Sequence, residues 1–297
     1  MSNPREEHHS FEGRARRMRR VLLMSTTAAG ADPFAALADL PGVPEAVESV
    51  RTAVDRVYAH RVMRRRSNEI SSEAALRGAR ASAALDGADW ALEEVRRRTD
   101  FGSEPEARTV GAALRLSAEA GQLLSVWGQS PMRVLARLHV VAEAKEAPEV
   151  GRPRVAGEGV QDRDLGLALP DAAETAARLE GLTALLASGS KAPALVVAAI
   201  VHGELLALRP FTTRNGLVAR AAERIVLVGS GLDPKAVCPA EVGHAELGAE
   251  EYSRALTGYV TGTPAGVAGW IRHCARAVEL GARESTAVCE ALQRGAA

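Results

Sequence analysis

Apolar positions recur at three- and four-residue spacing along most of the chain, the period of amphipathic helices. After Pro44, Val47, Val50, Val54 and Val57 share one helical face. A second helix is predicted over about 68–85, stopped by Gly87. Leu114, Leu116, Leu123 and Leu124 mark a third that ends near Gly128, and Ser130-Pro131 opens a fourth through Leu135, Leu138 and Val141. The pattern then breaks. Residues 149–166 are rich in Gly, Arg and Asp and read as a loop or a small hairpin. Helices resume at Pro170-Asp171, with Leu179, Leu182 and Leu185 on one face. The stretch 194–208 is apolar on most sides, as a helix buried in a bundle should be. Pro210 cannot continue it. From Gly216 the chain reads helical to Gly229, and two last helices are predicted over 250–259 and 265–280. No internal repeat is present. The fold class is all-α.

Composition sharpens this picture in three ways. Of the 297 residues 46% are apolar but only 3% aromatic, so the core is built from Ala, Leu and Val and favours close helix packing. Formal net charge is zero, which gives no support for nucleic acid or an anionic membrane as partner. Cys238, Cys274 and Cys289 are far apart and form no CxxC pair, as suits a reducing cytoplasm rather than a disulfide framework. No apolar run approaches the roughly 20 residues of a membrane helix. Residues 1–24 carry a cluster of arginines followed only by the short apolar stretch 21–24. That is too little for a signal peptide, so the segment reads as a disordered or non-native extension, with organised sequence from near Pro33.

The candidate chemistry sits where the buried helix ends and the next begins, in the segment RPFTTRNGLVAR from Arg209 to Arg220. It resembles the Fic (Fido) signature, His-x-Phe-x-(Asp/Glu)-Gly-Asn-Gly-Arg-x-x-Arg. Further elements fit in order: His139 in an upstream helix, Gly151-Arg-Pro-Arg154 in the place of the family's target-binding flap, and the helix around Trp270. The resemblance implies a multi-helix Fic-type bundle with a small β-hairpin flap. It divides the chain into the 1–24 extension, an N-terminal helical region over 25–130, a Fic-like core over 131–282 and a C-terminal tail over 283–297. The family transfers AMP from ATP to a hydroxyl of a target protein. Its His is the general base, its acid holds Mg²⁺, its Gly-Asn-Gly turn presents N–H groups to phosphate, and its arginines neutralise the polyphosphate.

Only part of this pattern is present. Phe211 keeps the packing anchor, Asn215 and Gly216 keep the nest, and Arg220 matches the second arginine. Arg209 replaces the base, Thr213 the acid, Arg214 the first glycine and Leu217 the first arginine. An arginine cannot serve as base, because deprotonating it at pH 7 costs roughly 7 kcal/mol. Thr213 offers a neutral oxygen where Mg²⁺ wants a carboxylate, so no metal ligand is assigned. His202, about two turns before Arg209, reads as a core hydrogen-bonding residue rather than a substitute base.

Arg209, Arg214 and Arg220 crowd the start of a helix, where the macrodipole disfavours cations, so an anion is expected there. It is either a ligand, with Arg214, Asn215, Gly216 and Arg220 as the binding set, or one of the chain's own acids. Ser82-Ala-Ala-Leu-Asp-Gly87 resembles the family's (Ser/Thr)-x-x-x-Glu-(Gly/Asn) inhibitory helix, whose acid pairs with the second motif arginine and blocks the γ-phosphate. The four-residue spacing puts Ser82 and Asp86 on one face. The alternative is a plain helix C-terminus stopped by Gly87. The expected function is a degenerate Fic-domain protein impaired in AMP transfer that keeps an anion- or nucleotide-binding nest, with a protein target at 151–162. The alternative is an active adenylyltransferase or related transferase, using ATP and Mg²⁺ through non-standard residues.

Overall fold

The computed structural model of the chain describes residues 32–102, 104–145 and 147–295, so the 1–24 extension lies outside the described residues. These residues form α1 (Pro33–Ala38), α2 (Val43–Ala59), α3 (Met63–Leu85), α4 (Leu92–Arg97), α5 (Pro105–Ala120), α6 (Leu124–Trp127) and α7 (Pro131–Glu143). After a long irregular stretch come α8 (Ala172–Ser188), α9 (Ala194–Leu208), α10 (Asn215–Gly229), α11 (Ala240–Leu247), α12 (Ala249–Val260) and α13 (Pro264–Gln293). The class is all-α, with no strand among the described residues.

Local sequence explains most boundaries. Proline opens α1, α2, α5, α7 and α13, where its missing N–H costs nothing. Asp32, Asp171 and Thr263 cap α1, α8 and α13 by accepting from backbone N–H groups of the first turn. Buried residues from Phe34 to Leu292 form one continuous apolar core. The middle of it is α9, buried on all sides from Ala198 to Leu208. Trp270 of α13 donates its indole N–H to the Ala199 carbonyl of α9 at 2.7 Å, satisfying a polar atom that burial would otherwise strand. Small residues allow the closest crossings. A Cβ on Gly243 of α11 would lie 2.0 Å from the Ala277 carbonyl of α13, so only glycine fits there.

Two expectations are corrected. The 149–166 segment is not a β-hairpin. Pro153 has no N–H to give a ladder, and Gly151, Gly157 and Gly166 adopt positive φ. The backbone of this segment bonds to the motif loop instead: the Arg154 N–H donates to the Pro210 carbonyl at 2.7 Å, and Gln161 N–H to the Thr212 carbonyl at 2.8 Å. Residues 283–293 are no tail either, because α13 continues through them to Gln293 and buries Val288, Cys289 and Leu292. The short helices α1, α4 and α11 are too brief for periodicity to reveal. All three cysteines are buried and free. Among the described residues no helix is long and apolar enough to cross a membrane.

Candidate functional site

The motif loop joins α9 to α10, the two central helices. Arg209 ends α9 at φ 44° and Arg214 precedes α10 at φ 62°, both left-handed positions that glycine usually fills. For a side-chain-bearing residue each costs about 1–2 kcal/mol. The loop is held closed by Asn215, whose Oδ1 accepts from Phe211 N–H at 2.8 Å while its Nδ2 donates to the Phe211 carbonyl, also at 2.8 Å. Phe211 is buried and stacks on His139, ring centroids 4.2 Å apart.

An acid absent from the sequence-based site fills the nest at the start of α10. Asp162 Oδ1 accepts from the Arg214 N–H at 2.5 Å; its Oδ2 accepts from the Asn215 N–H at 2.9 Å and the Asn215 Nδ2 at 2.7 Å. Burial lifts its pKa above the usual aspartate value, and the three donors offset only part of that. Asp162 lies in the Gly-, Arg- and Asp-rich stretch whose sequence reads as a loop or a small hairpin. Without a local signature, only the tertiary fold reveals its target.

The second acid is Asp86, at the end of α3. Arg220 Nη2 donates to Asp86 Oδ1 at 2.7 Å, and the same guanidinium reaches Ser82 through Nε to Oγ at 2.8 Å and Nη2 to the carbonyl at 2.9 Å. Arg220 is 1% exposed. Burial pulls its pKa down, but the charge and hydrogen bond of Asp86 together with Tyr252 outweigh that and the pKa rises. Gly216 leaves room for this pair, since a Cβ there would sit 2.5 Å from Asp86 Oδ1 and push the carboxylate aside. Gly87 serves the turn after α3 at φ 95°.

The remaining motif positions point elsewhere. The Arg209 guanidinium donates through Nη2 to the Leu167 and Ala168 carbonyls at 3.0 and 2.7 Å, and its buried Nε has no partner. Burial and the nearby charge of Arg154 pull its pKa down. Arg154 itself donates from Nε to the Arg209 carbonyl at 3.1 Å and from Nη2 to Thr175 at 2.7 Å, pinning the 151–154 element beneath the loop. Thr213, where the resemblance implies the metal acid, does not line the cavity. His139 Nδ1 accepts from Gly151 N–H at 3.0 Å, so its Nε2 carries the proton and donates to Thr213 Oγ at 3.2 Å; the Thr213 hydroxyl in turn donates to Glu143 Oε1 at 2.9 Å. Burial pushes the His139 pKa down to about 4, which keeps the ring neutral in this chain of bonds. Arg214, expected among the anion-binding side chains, is directed to Glu143 at 3.3 Å and Thr109 at 2.6 Å; only its backbone N–H serves the nest. Leu217 is buried in the core.

A cavity of about 560 Å³ opens over Asp86, Asp162, Arg209, Asn215, Gly216 and Arg220, and continues to Tyr252 and Arg254. Four acids (Asp86, Asp162, Asp164, Glu250) line it against four arginines (Arg163, Arg209, Arg220, Arg254), so it carries no net positive charge for a polyphosphate. With Thr213 engaged by Glu143 and His139 and no carboxylate at its position, the residues present do not fit Mg²⁺ at the motif. With Asp162 on the nest and Asp86 on Arg220, they do not fit nucleotide phosphates in this arrangement either.

No protein-family model and no curated protein matches the sequence. Solved structures do. A Fic family protein from Desulfovibrio desulfuricans G20 superposes with a TM-score of 0.67 at 20% identity, over 84% of this chain and 75% of that one. Fic-1 from C. elegans gives 0.58 at 17% identity, over 96% and 85%. A Fic-domain-containing signaling protein from Bacteroides thetaiotaomicron VPI-5482 gives 0.56 at 11% identity, over 82% and 98%. The chain therefore has the Fic fold, which by itself does not assign an activity.

Proposed function

We propose that this chain is a degenerate Fic-type protein that does not transfer AMP, and that its anion nest is held shut by its own acids. The observation that carries this reading is Arg209. It stands where the family pattern has its base, and its guanidinium is spent on the Leu167 and Ala168 carbonyls. Nothing at that position can take a proton from a hydroxyl at neutral pH. His139 does not replace it, since the ring is fully buried, stacked on Phe211 and hydrogen-bonded through both nitrogens.

Asp162 and Asp86 occupy the donors that would otherwise meet phosphate oxygens. The geometry of a carboxylate on two successive N–H groups is that of an anion bound at a helix N-terminus. The protein then works as a binding module whose ligand is an anionic group able to displace one or both carboxylates, with the 151–162 loop as the face offered to a protein partner. Incubation of the purified chain with labelled ATP and Mg²⁺, beside a nucleotide-binding titration, tests this. Silence in the transfer assay supports the reading; label carried onto protein overturns it in favour of a transferase working through non-standard residues.

A further inference from the structure

A separate cluster lies on the core side of α10, away from the motif loop. His202 of α9, Glu223 of α10, His244 of α11 and Cys274 of α13 each present one ligand atom, all within 4.8 Å of one another. Each residue is at most 1% exposed. The two imidazoles converge on one buried carboxylate oxygen, with His202 Nδ1 2.9 Å and His244 Nε2 3.1 Å from Glu223 Oε2, while the buried Glu223 Oε1 has no hydrogen-bond partner. An orphaned buried carboxylate oxygen is costly, and two imidazole nitrogens gathered on its partner oxygen beside a thiol form a donor set that a cation would satisfy. We propose that His202, Glu223, His244 and Cys274 form a buried structural site for a divalent ion of the zinc class.

Three features carry the assignment. The donor set is the first: two imidazoles, a thiolate and a carboxylate in a closed four-membered group suit a tetrahedral borderline-soft ion, not Mg²⁺ or Ca²⁺. With bonds of 2.0–2.3 Å, ligand atoms in such a site stand about 3.3–3.8 Å apart, so the widest pair closes by on the order of 1 Å while the imidazole nitrogens at 2.9 and 3.1 Å from Glu223 Oε2 open slightly. Charge is the second. One carboxylate and one thiolate neutralise a divalent ion; the thiol proton of Cys274 is released to solvent as the sulfur–metal bond forms, so the buried site ends with no net charge. The third is the outer shell. His202 Nε2 shares a hydrogen bond with the Tyr252 hydroxyl at 2.6 Å, and His244 Nδ1 with His273 Nε2 at 3.1 Å. Each imidazole is thereby held from behind and turns its other nitrogen to the centre, the arrangement that orients metal-ligating histidines. The ion would tie four helices together. Because Tyr252 also lines the cavity over Arg220, it would fix one wall of that cavity too.

The test uses full-length, tag-free protein. Purified without chelator, it is expected to contain about one zinc per chain by elemental analysis. Protein made in zinc-poor, cobalt-supplemented medium is expected to bind one Co²⁺ with tetrahedral visible bands and a thiolate-to-cobalt charge-transfer band in the near ultraviolet. That band should vanish in Cys274→Ser and persist in Cys289→Ser. Metal-free protein whose Tm is the same after refolding with zinc or with chelator would overturn the proposal, and this reading stands even if Cys274→Ser fails to fold. A charge-transfer band that survives in Cys274→Ser would overturn it as well, by placing the ion on another cysteine.

Discussion

Arg220 Nη2 and Asp86 Oδ1 meet at 2.7 Å across 134 residues of sequence, with the arginine 1% exposed and the aspartate side chain 21% exposed. Two groups in such contact are energetically coupled. A double-mutant cycle of Asp86→Ala and Arg220→Ala, read by urea unfolding, should give an interaction energy of about 0.5–3 kcal/mol. Asp86→Ala is expected to be harmful by itself, because it leaves a buried guanidinium with Ser82 as its remaining side-chain hydrogen-bond partner from α3. Additive losses in the cycle would mean that the pair is only a proximity.

Asp162 satisfies three donors of the loop and α10, so its removal should act on stability and binding in opposite directions. Asp162→Ala strands the Arg214 and Asn215 N–H groups and leaves the Asn215 amide only its bond to the Phe211 carbonyl, at a cost of about 1–3 kcal/mol. The same change frees the nest for a phosphate. Calorimetric titration with inorganic pyrophosphate should show at least about tenfold tighter binding to Asp162→Ala than to the wild type, equivalent to about 1.4 kcal/mol. Pyrophosphate should also restore part of the lost thermal stability. Equal affinity in the two proteins would remove Asp162 from the role of internal plug.

His139 makes a prediction about acid. Its folded pKa is about 4 against the ordinary 6.5, because burial disfavours the charged ring. Between these values the unfolded chain binds a proton that the folded chain does not. Stability from this residue is therefore complete above about pH 6.5 and is lost as pH falls toward 4, to a limit of about 3 kcal/mol. Urea unfolding at pH 7.5 and pH 5 should show the wild type weaker at pH 5, with a smaller difference in His139→Gln. The same slope in both proteins would show that other groups carry the acid sensitivity.

How much of this was legible in sequence depends on range. The order of the long helices follows from local periodicity, and α9 is recognisable because it is apolar on nearly every side. The contact of Arg220 with Asp86 is legible only through resemblance, since four-residue spacing places Ser82 and Asp86 on one face but says nothing of what that face meets. Asp162 escapes even that. It lies among loop acids and arginines of identical local character, and only the pairing of its backbone segment with 209–214 selects it. The 149–166 stretch forms no hairpin for a related reason: a glycine- and proline-bearing segment can satisfy its backbone on a neighbouring loop, here 209–214, as well as on itself. The histidine–glutamate–cysteine cluster draws one residue from each of four helices, and no spacing in the chain announces it.

The last prediction concerns repair of the motif. Loss of a general base alone costs ~10²–10⁴ in rate, so the wild type should carry no label from ATP to protein. Arg209→His should stay silent too, because Asp162 still covers the nest and Asp86 still holds Arg220. Rebuilding the family pattern further, with Thr213→Asp, Arg214→Gly and Leu217→Arg, meets the structure unevenly. Arg214→Gly suits the φ of 62°, and it should be more stable than Arg214→Ala by about 1 kcal/mol. Thr213→Asp places a second carboxylate against Glu143, which Thr213 now contacts at 2.9 Å. Leu217 is 1% exposed, so Leu217→Arg buries a charge with no partner prepared for it. The fourfold variant should therefore melt well below the wild type rather than gain transfer activity. Differential scanning fluorimetry beside the labelling assay reads both outcomes. A variant that melts like the wild type and labels itself would show that the cavity accepts the family chemistry as it stands. Transfer by the unmodified chain, abolished by Arg220→Ala, would show that the reaction runs on residues other than those at the family's base and metal positions.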